Sequence, residues 1–278
     1  MKFTKMHGCG NDYIYVNCFR EKVDSPEALA IKISDRHFGI GSDGLILILP
    51  PKDDSSDAFM QLYNADGSKG SMCGNGIRCV AKYVYDHGLI PSDRTETFID
   101  TPVGIKKISL DIRDGKVINA SVDMGVAKLT SELPEEISVS GMKLNFVGVD
   151  VGTAHAVYFV EDNPELKNIF SWPDSEFASE GNKFETHSRF PDRVNTEFIE
   201  VISRDEIKMR VYERGSGETM ACGTGATASA FAGFVSGKLS RDVLVHLRGG
   251  DLKIKIEDGD RCIMTGPAVE VFSGEIVL

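Results

Sequence analysis

The sequence has no long apolar segment and no cluster of basic residues. Apolar runs are short, as in the five residues Leu45–Leu49, whereas a membrane-spanning helix needs roughly 20. The net charge is −11 and the 31 lysines and arginines form no block, so a nucleic-acid-binding surface is not expected. The first residues turn polar at once and do not resemble a secretory leader. We therefore expect a cytoplasmic protein that binds neither membranes nor nucleic acids.

Motifs for metals, nucleotides and disulfides are also scarce. No C-x-x-C pair is present, so a zinc site is not expected, and there is no Walker A sequence. Residues Gly39–Gly44 have the spacing G-x-G-x-x-G. They precede a predicted strand, however, whereas the dinucleotide-binding fingerprint follows a strand. Six cysteines in 278 residues are not the dense framework of a small secreted domain, and they predict free thiols.

One stretch of the sequence occurs twice. Residues 60–88 and 209–237 align without a gap at an offset of 149 positions. The shared positions are Met60/Met209, Tyr63/Tyr212, Cys73/Cys222, Gly74/Gly223, Gly76/Gly225, Ala81/Ala230 and Gly88/Gly237. Each copy predicts a short strand, a Gly-rich turn, a C-G-x-G step and a helix that ends at glycine. The repeat therefore indicates two halves, each with one cysteine at a helix start.

The remaining pattern predicts an α+β fold with mixed or antiparallel sheets, because hydrophobic residues recur mostly at strand-like spacing. A curled sheet is expected to pack around a central helix in each half, at 77–87 and 226–236. A boundary near residue 119 gives an N-terminal domain, 1–118, and a C-terminal domain, 119–266. Other expected elements are a helix starting at Ser25-Pro26, a helix at Pro164 to Asn168, a hairpin turn at Asp114-Gly115 and three strands at the end of the chain.

A cysteine at a helix start lies beside unpaired backbone N–H groups and the positive end of the helix dipole, which favour a thiolate. The adjacent glycines let a carboxylate approach the same N–H groups. Taken singly, the cysteine of either C-G-x-G step is equally well explained as a small apolar residue that caps a packed helix. As a matched pair, Cys73 and Cys222 suit the inversion of an amino acid, because one thiolate can remove the α-proton while the other thiol donates a proton. This chemistry calls for neither pyridoxal phosphate nor a metal ion.

Several polar side chains lie in turns near these two steps. Asparagine and arginine can bind a carboxylate, although each is individually more typical of a turn former. His155 and His7 fit either a substrate-lining role or a hydrogen-bonded structural one. The polar candidates are Asn11, Asn64, Asn195, Glu213 and Arg214.

Long motifs make the chain resemble the diaminopimelate epimerase family, a group of cofactor-independent two-cysteine racemases. They are KMHGCGNDYIYVN, FGIGSDGLILI, YNADGSKGSMCGNGIRC, RVNTEFIEV and RVYERGSGETMACGTGA. The resemblance implies two pseudo-symmetric domains, an active site in the cleft between them, and a homodimer. It also implies that the C-terminal strand, 267–278, returns to the first domain.

The resemblance further implies epimerisation of LL-diaminopimelate to the meso form, a step towards lysine and peptidoglycan precursors. Cys73 and Cys222 match the acid/base pair. The α-carboxylate is expected on Gly74, Asn75, Gly223 and Thr224, and the rest of the substrate on Asn11, Asn64, His155, Asn195, Glu213 and Arg214.

Two positions depart from the family pattern. Thr153 stands where the family usually has asparagine, and Gly44 stands where many members have glutamine. Both departures concern recognition of the substrate side chain and leave the cysteine pair intact. A racemase of another amino acid, such as histidine, and a non-catalytic amino-acid-binding homologue therefore remain alternatives.

Overall fold

The computed structural model describes residues 1–277. The chain forms two compact units, Met1–Asp123 together with the segment from Thr265 onward, and Met124–Met264. The domain limits predicted from the sequence, at 118/119 and 266/267, stay predictions. In the part of the chain that the structure describes, no helix is long and apolar enough to cross a membrane.

Four α-helices and nineteen strands are present in residues 1–277. Their order is β1 (Lys2–Gly8), β2 (Asn11–Asn17), α1 (Pro26–Ser34), β3 (Gly44–Leu49), β4 (Ala58–Asn64), β5 (Lys69–Gly70), α2 (Gly74–Asp86), β6 (Glu96–Asp100), β7 (Lys106–Arg113), β8 (Lys116–Val126), β9 (Lys128–Leu129), β10 (Glu135–Val139), β11 (Met142–Asp150), β12 (Ala154–Phe159), α3 (Asp174–Glu185), β13 (Asn195–Ser203), β14 (Glu206–Glu213), β15 (Gly217–Glu218), α4 (Gly223–Val235), β16 (Asp242–Leu247), β17 (Gly250–Ile256), β18 (Arg261–Pro267) and β19 (Val269–Glu275). Strands dominate, and the predicted α+β class is confirmed.

The first unit contains a mixed sheet. Strand β1 pairs antiparallel with β2 and with the C-terminal strand β19. Strands β2 and β3 run parallel, β3 and β4 antiparallel, and β4 and β6 parallel. Strands β6, β7 and β8 then form an antiparallel meander. The hairpin turn predicted at Asp114-Gly115 joins β7 to β8, and both residues have positive φ.

The second unit repeats this order of pairings. Strands β11 and β12 are antiparallel, β12 and β13 parallel, and β13 and β14 antiparallel. Strand β14 pairs parallel with β16, which pairs antiparallel with β17. Helices α1 and α3 occupy the same place in the two sequences of elements, before β3 and before β13. The internal repeat of the sequence is thus a repeat of topology.

Helices α2 and α4 are the central helices of the two units. Each spans 13 residues, and their bounds differ by the same 149 positions as the sequence repeat. The apolar residues Ile77 and Val80 of α2, and Ala226 and Ala230 of α4, are fully buried. Both helices begin three residues before their predicted starts, because Cys73 and Cys222 act as N-cap residues.

Three expectations about secondary structure were wrong. Helix α3 was not predicted, because its buried apolar side chains are few and separated by charged residues, with Phe177 and Phe184 two turns apart. Residues Pro164–Leu166 form a single 3-10 turn where a longer helix was expected. The chain ends in four strands, β16 to β19, where three were expected.

Gly44 is required by the close approach of two strands. It pairs with Asn64 across the β3–β4 ladder. A Cβ atom at this position would overlap the carbonyl oxygen of Tyr63, and the ring of Tyr13 lies 3.1 Å away. The space that a side chain would need is filled by backbone, so the departure at Gly44 is a packing requirement of this chain.

We expect Gly44→Ala to lower the free energy of unfolding by about 1–3 kcal/mol, because the added methyl group meets rigid backbone. Urea unfolding measures the change. Gly70→Ala is the control, since its Cβ would meet side-chain atoms of Leu62, Cδ2 at 2.5 Å and Cγ at 2.9 Å, and a side chain can adjust where backbone cannot. Equal losses in the two variants would contradict this account of Gly44.

Candidate active site

The sulfur of Cys73 caps the N-terminus of α2. The residue has extended backbone angles, and its Sγ accepts a hydrogen bond from the backbone N–H of Gly76 at 3.3 Å. The same sulfur donates to Oδ1 of Asn11 at 3.3 Å. Asn75 Nδ2 donates to that oxygen at 3.3 Å. Three of the predicted site residues, Asn11, Cys73 and Asn75, are therefore in direct contact.

Arg78 stabilises the first turn of α2. It is completely buried, and its guanidinium donates to the carbonyl of Gly74 at 3.2 Å and to Oδ1 of Asn75 at 3.0 Å. It also donates to the carbonyl of Pro267 at 3.3 Å. Arg78 thus fixes the backbone and the amide next to Cys73.

Asn64 has a local role in the structure. Its side-chain amide donates to Ser68 Oγ at 2.9 Å, and its backbone N–H donates to the carbonyl of Ser68 at 2.8 Å. These bonds close the turn between β4 and β5. The role of Asn64 in substrate binding stays a prediction.

Cys222 caps α4 in the same way that Cys73 caps α2. Its Sγ accepts from the backbone N–H of Gly225 at 3.3 Å and lies 3.3 Å from the hydroxyl of Thr224. A Cβ atom at Gly225 would lie 2.6 Å from Oε1 of Glu197 and 3.2 Å from Cys222 Sγ. Glycine is the residue that leaves room for this carboxylate beside the thiol.

Burial raises the pKa of Cys222 well above its ordinary value, and the nearby carboxylates of Glu213 and Glu197 raise it further. The helix start was expected to favour a thiolate, but at Cys222 desolvation and negative charge outweigh the helix N-terminus. Burial also raises the pKa of Glu213, against hydrogen bonds with Thr219 and Cys222. Cys222 therefore rests as a protonated thiol near neutral pH.

A buried hydrogen-bonded chain joins Thr153, His155 and Glu197. His155 Nδ1 lies 2.7 Å from Oε1 of Glu197, and its Nε2 lies 2.8 Å from the hydroxyl of Thr153. Both His155 and Glu197 are fully buried, and Oε2 of Glu197 has no hydrogen-bond partner. Since a carboxylate only accepts, Nδ1 donates to Glu197, and Nε2 shares a hydrogen bond with the hydroxyl of Thr153. Thr153, which departs from the family pattern, is thus linked to Glu197 by hydrogen bonds through His155.

Asn195 and Arg214 lie at the ends of neighbouring strands. The side-chain amide of Asn195 donates to the carbonyl of Ala154 at 3.1 Å and accepts from the backbone N–H of Arg214 at 2.9 Å. The guanidinium of Arg214 is exposed and donates to the carbonyl of Asp192 at 3.3 Å. Asn195 therefore holds the backbone that presents Arg214.

The structure places further residues beside the predicted ones. Sequence reasoning missed four of them, Asp43, Arg78, Glu197 and Thr219. All four lie inside motifs that carry the family resemblance, and that is the one signal that could have found them. Within residues 1–277, no group of three or more His, Cys, Asp or Glu side chains is placed to hold a metal ion. None of the six cysteines forms a disulfide bond within these residues.

Comparison with known proteins identifies the family. The family model for diaminopimelate epimerase matches residues 3–130 and 147–271. The chain belongs to the diaminopimelate epimerase family. The diaminopimelate epimerase of Agathobacter rectalis is 50% identical over 295 aligned residues, which cover 99% of each chain. That of Acetivibrio thermocellus is 47% identical and covers 100% of this chain and 99% of its own. The predicted resemblance is confirmed.

Solved structures with little sequence identity share the fold of this diaminopimelate epimerase family member. A hydroxyproline epimerase from Agrobacterium vitis superposes with a TM-score of 0.69 at 16% identity, covering 99% of this chain and 91% of its own. A methylitaconate-delta-isomerase superposes with a TM-score of 0.67 at 13% identity, covering 99% and 95%. These similarities support the two-domain α+β architecture.

We expect Glu197→Leu to lower the free energy of unfolding by about 1–3 kcal/mol, because the buried Nδ1–H of His155 loses its acceptor. The exposed Glu200 of the same strand supplies the control, and Glu200→Leu should change stability by less than about 0.5 kcal/mol. Urea unfolding of both variants measures the difference. Unchanged stability in Glu197→Leu would contradict the pairing with His155.

Proposed function

We propose that this protein is an isomerase that converts LL-2,6-diaminopimelate to meso-diaminopimelate without pyridoxal phosphate or a metal ion. The observation that carries the proposal is the near-full-length identity of 50% with a diaminopimelate epimerase. The capping of two matched helices by Cys73 and Cys222 supports it independently of that comparison. The product serves lysine and peptidoglycan precursor synthesis.

In the proposed mechanism, Cys73 and Cys222 exchange roles as base and acid. The thiolate of one removes the α-proton, the electron pair stays on the α-carbon, and the thiol of the other donates a proton to the opposite face. The reverse reaction uses the same groups with their roles exchanged.

The α-carboxylate is proposed to bind the backbone N–H groups at the two helix starts, Gly74-Asn75 and Gly223-Thr224. The backbone N–H groups of a helix start and the helix dipole favour an anion at these places. The same donors stabilise the charge that builds on the carboxylate as the α-proton leaves. This contribution is needed because the α-proton of an amino acid is very weakly acidic.

The remaining site residues are proposed to bind the amino groups and the distal carboxylate. Arg214 is exposed and offers a planar fork of donors for a carboxylate. The hydroxyl of Thr153 is hydrogen-bonded to Nε2 of His155, and its oxygen has a lone pair to accept from an ammonium group. The other proposed contacts are Asn11, Asn64, His155, Asn195 and Glu213.

Replacement of either cysteine tests the mechanism. We expect Cys73→Ala and Cys222→Ala each to reduce epimerisation by at least about 100-fold, the usual contribution of one acid or base group. NMR detection of α-proton exchange from diaminopimelate in D2O is the assay. Cys18→Ala is the matched control, because Cys18 is a free thiol outside the two helix starts, and it should keep full activity. Undiminished turnover in both alanine variants at 73 and 222 would overturn the mechanism.

A racemase of another amino acid is the second candidate, and Thr153 favours it because the family usually has asparagine there. The same NMR assay with a panel of amino acids, including histidine, separates the candidates. Exchange with histidine and none with diaminopimelate would overturn the proposed substrate. Saturable binding of diaminopimelate without exchange would instead indicate an amino-acid-binding homologue.

We also propose that the protein is a cytoplasmic homodimer. Its free thiols fit a reducing compartment. The apolar side chains Val269, Val271 and Phe272 of β19 are exposed, which supports a surface that another copy of the chain covers.

Light scattering after size exclusion should give twice the chain mass, and Phe272→Lys should shift the protein towards the monomer because a charge opposes burial of this strand. Val103→Lys is the control, since Val103 is an exposed apolar residue outside β19 and should leave the dimer intact. A monomeric parent protein would contradict the proposal.

A further inference from the structure

The carboxylate of Asp43 binds Asn11. Asp43 Oδ2 accepts hydrogen bonds from Asn11 Nδ2 at 2.7 Å and from the backbone N–H of Asp12 at 3.1 Å. Its other oxygen, Oδ1, accepts from Nη2 of Arg36 at 2.9 Å. The proposed mechanism assigns no role to Asp43, yet it is one hydrogen bond away from a residue that contacts Cys73.

This contact, together with the hydrogen bond that Asn75 Nδ2 donates to Asn11 Oδ1 at 3.3 Å, sets which end of the Asn11 amide faces the thiol. A carboxylate can only accept, so the NH2 group of Asn11 must point to Asp43 and the carbonyl oxygen must point away from it. That oxygen receives the hydrogen bond from Cys73 Sγ at 3.3 Å. A carbonyl oxygen stabilises a thiol that donates to it and destabilises a thiolate at the same place.

We propose that Asp43 is a positioning residue that holds Cys73 in the protonated form by fixing the orientation of the Asn11 amide. The inference deepens the proposed function, since it assigns a resting state to one member of the proposed acid/base pair. The hydrogen bonds that carry it lie entirely within the first unit and involve no substrate.

Other groups also face Cys73. Tyr13 and Tyr15 of β2 are buried beside it, and burial raises the pKa of each phenol well above its usual range, so both are neutral near neutral pH. Helix α2 contributes the buried thiol of Cys79 and the guanidinium of Arg78.

Charged groups surround Asp43 itself. Asp12 is held by Lys5 at 2.9 Å and by Arg36 at 2.7 Å. Substitutions at Asp43 leave all of these groups in the chain. A change in the pKa of Cys73 therefore reports on Asp43 and the Asn11 amide.

Two substitutions separate orientation from charge. In Asp43→Asn the charge is lost, but the fixed backbone N–H of Asp12 still requires an oxygen at the Oδ2 position, while the exposed Arg36 side chain can move away from the new NH2 group, so Asn11 keeps its present orientation. In Asp43→Leu both the charge and the acceptor at 2.7 Å are lost, and only the longer bond from Asn75 Nδ2, at 3.3 Å, still favours the present orientation, so the Asn11 amide can rotate and donate to a Cys73 thiolate. If the orientation of the Asn11 amide controls the pKa of Cys73, the two variants should differ in that pKa. If the charge of Asp43 controls it, the two variants should shift it equally.

Alkylation by iodoacetamide, followed across the pH range in which thiols titrate, measures the thiolate fraction of each cysteine. Trypsin releases Cys73 alone in the peptide Gly70–Arg78 and Cys222 alone in the peptide Gly215–Lys238, so mass spectrometry follows both in one sample. We expect Asp43→Leu to lower the pKa of Cys73 by about one unit, roughly a tenfold gain in thiolate below that pKa. Asp43→Asn should match the parent protein. The Cys222 peptide is the internal control and should be unchanged in every variant.

Equal shifts of Cys73 in Asp43→Asn and Asp43→Leu would overturn the proposal in favour of a simple charge effect. An unshifted Cys73 in Asp43→Leu would overturn it as well. Asp43→Ala provides a second acceptor-free variant if Asp43→Leu does not fold, as judged by circular dichroism. Because alkylation needs no substrate, a failure here is distinct from a failure to epimerise diaminopimelate.

Discussion

The hydrogen bond from a helix N–H to a cysteine sulfur is the interaction on which the rest of the site depends. It occurs twice, from Gly76 to Cys73 and from Gly225 to Cys222, each at 3.3 Å. Both sulfurs take the place that a serine, threonine or aspartate oxygen usually occupies at a helix start. The cap fixes each thiol beside the N–H groups of the first turn. Glycine at the third helical position of each repeat makes that close approach possible.

The two caps have the same geometry and different surroundings. Cys73 faces an amide oxygen, whose orientation depends on Asp43. Cys222 is buried near two carboxylates, Glu213 and Glu197. Both surroundings favour the protonated thiol, by a neutral acceptor in one case and by negative charge and desolvation in the other. A repeated backbone element has thus acquired different polar neighbours in its two copies.

The sequence predicted the features that depend on local signals. Glycine, proline and cysteine mark the starts and ends of α1, α2 and α4, and the repeat at 149 positions predicted that the last two are equivalent. Helix α3 was missed because Phe177 and Phe184 hold it to the core with little local periodicity.

The polar contacts of the site were beyond sequence reasoning for a different reason. Asn11 meets Asp43 across 32 positions, and His155 meets Glu197 across 42. Each pairing follows from strand register: β12 runs parallel to β13, and Asp43 leads into β3, which is parallel to β2. A short stretch of sequence does not show which residues pair across neighbouring strands. The family motifs include these residues but do not show which of them are in contact.

The central claim is that two different groups act on one α-carbon, and early-time isotope incorporation in D2O tests it most directly. With two thiols, LL-diaminopimelate should yield meso product that carries one solvent deuterium at the inverted α-carbon, while recovered LL substrate keeps its protium. Equal early deuteration of product and recovered substrate would indicate a single base that serves both faces, and would contradict the account.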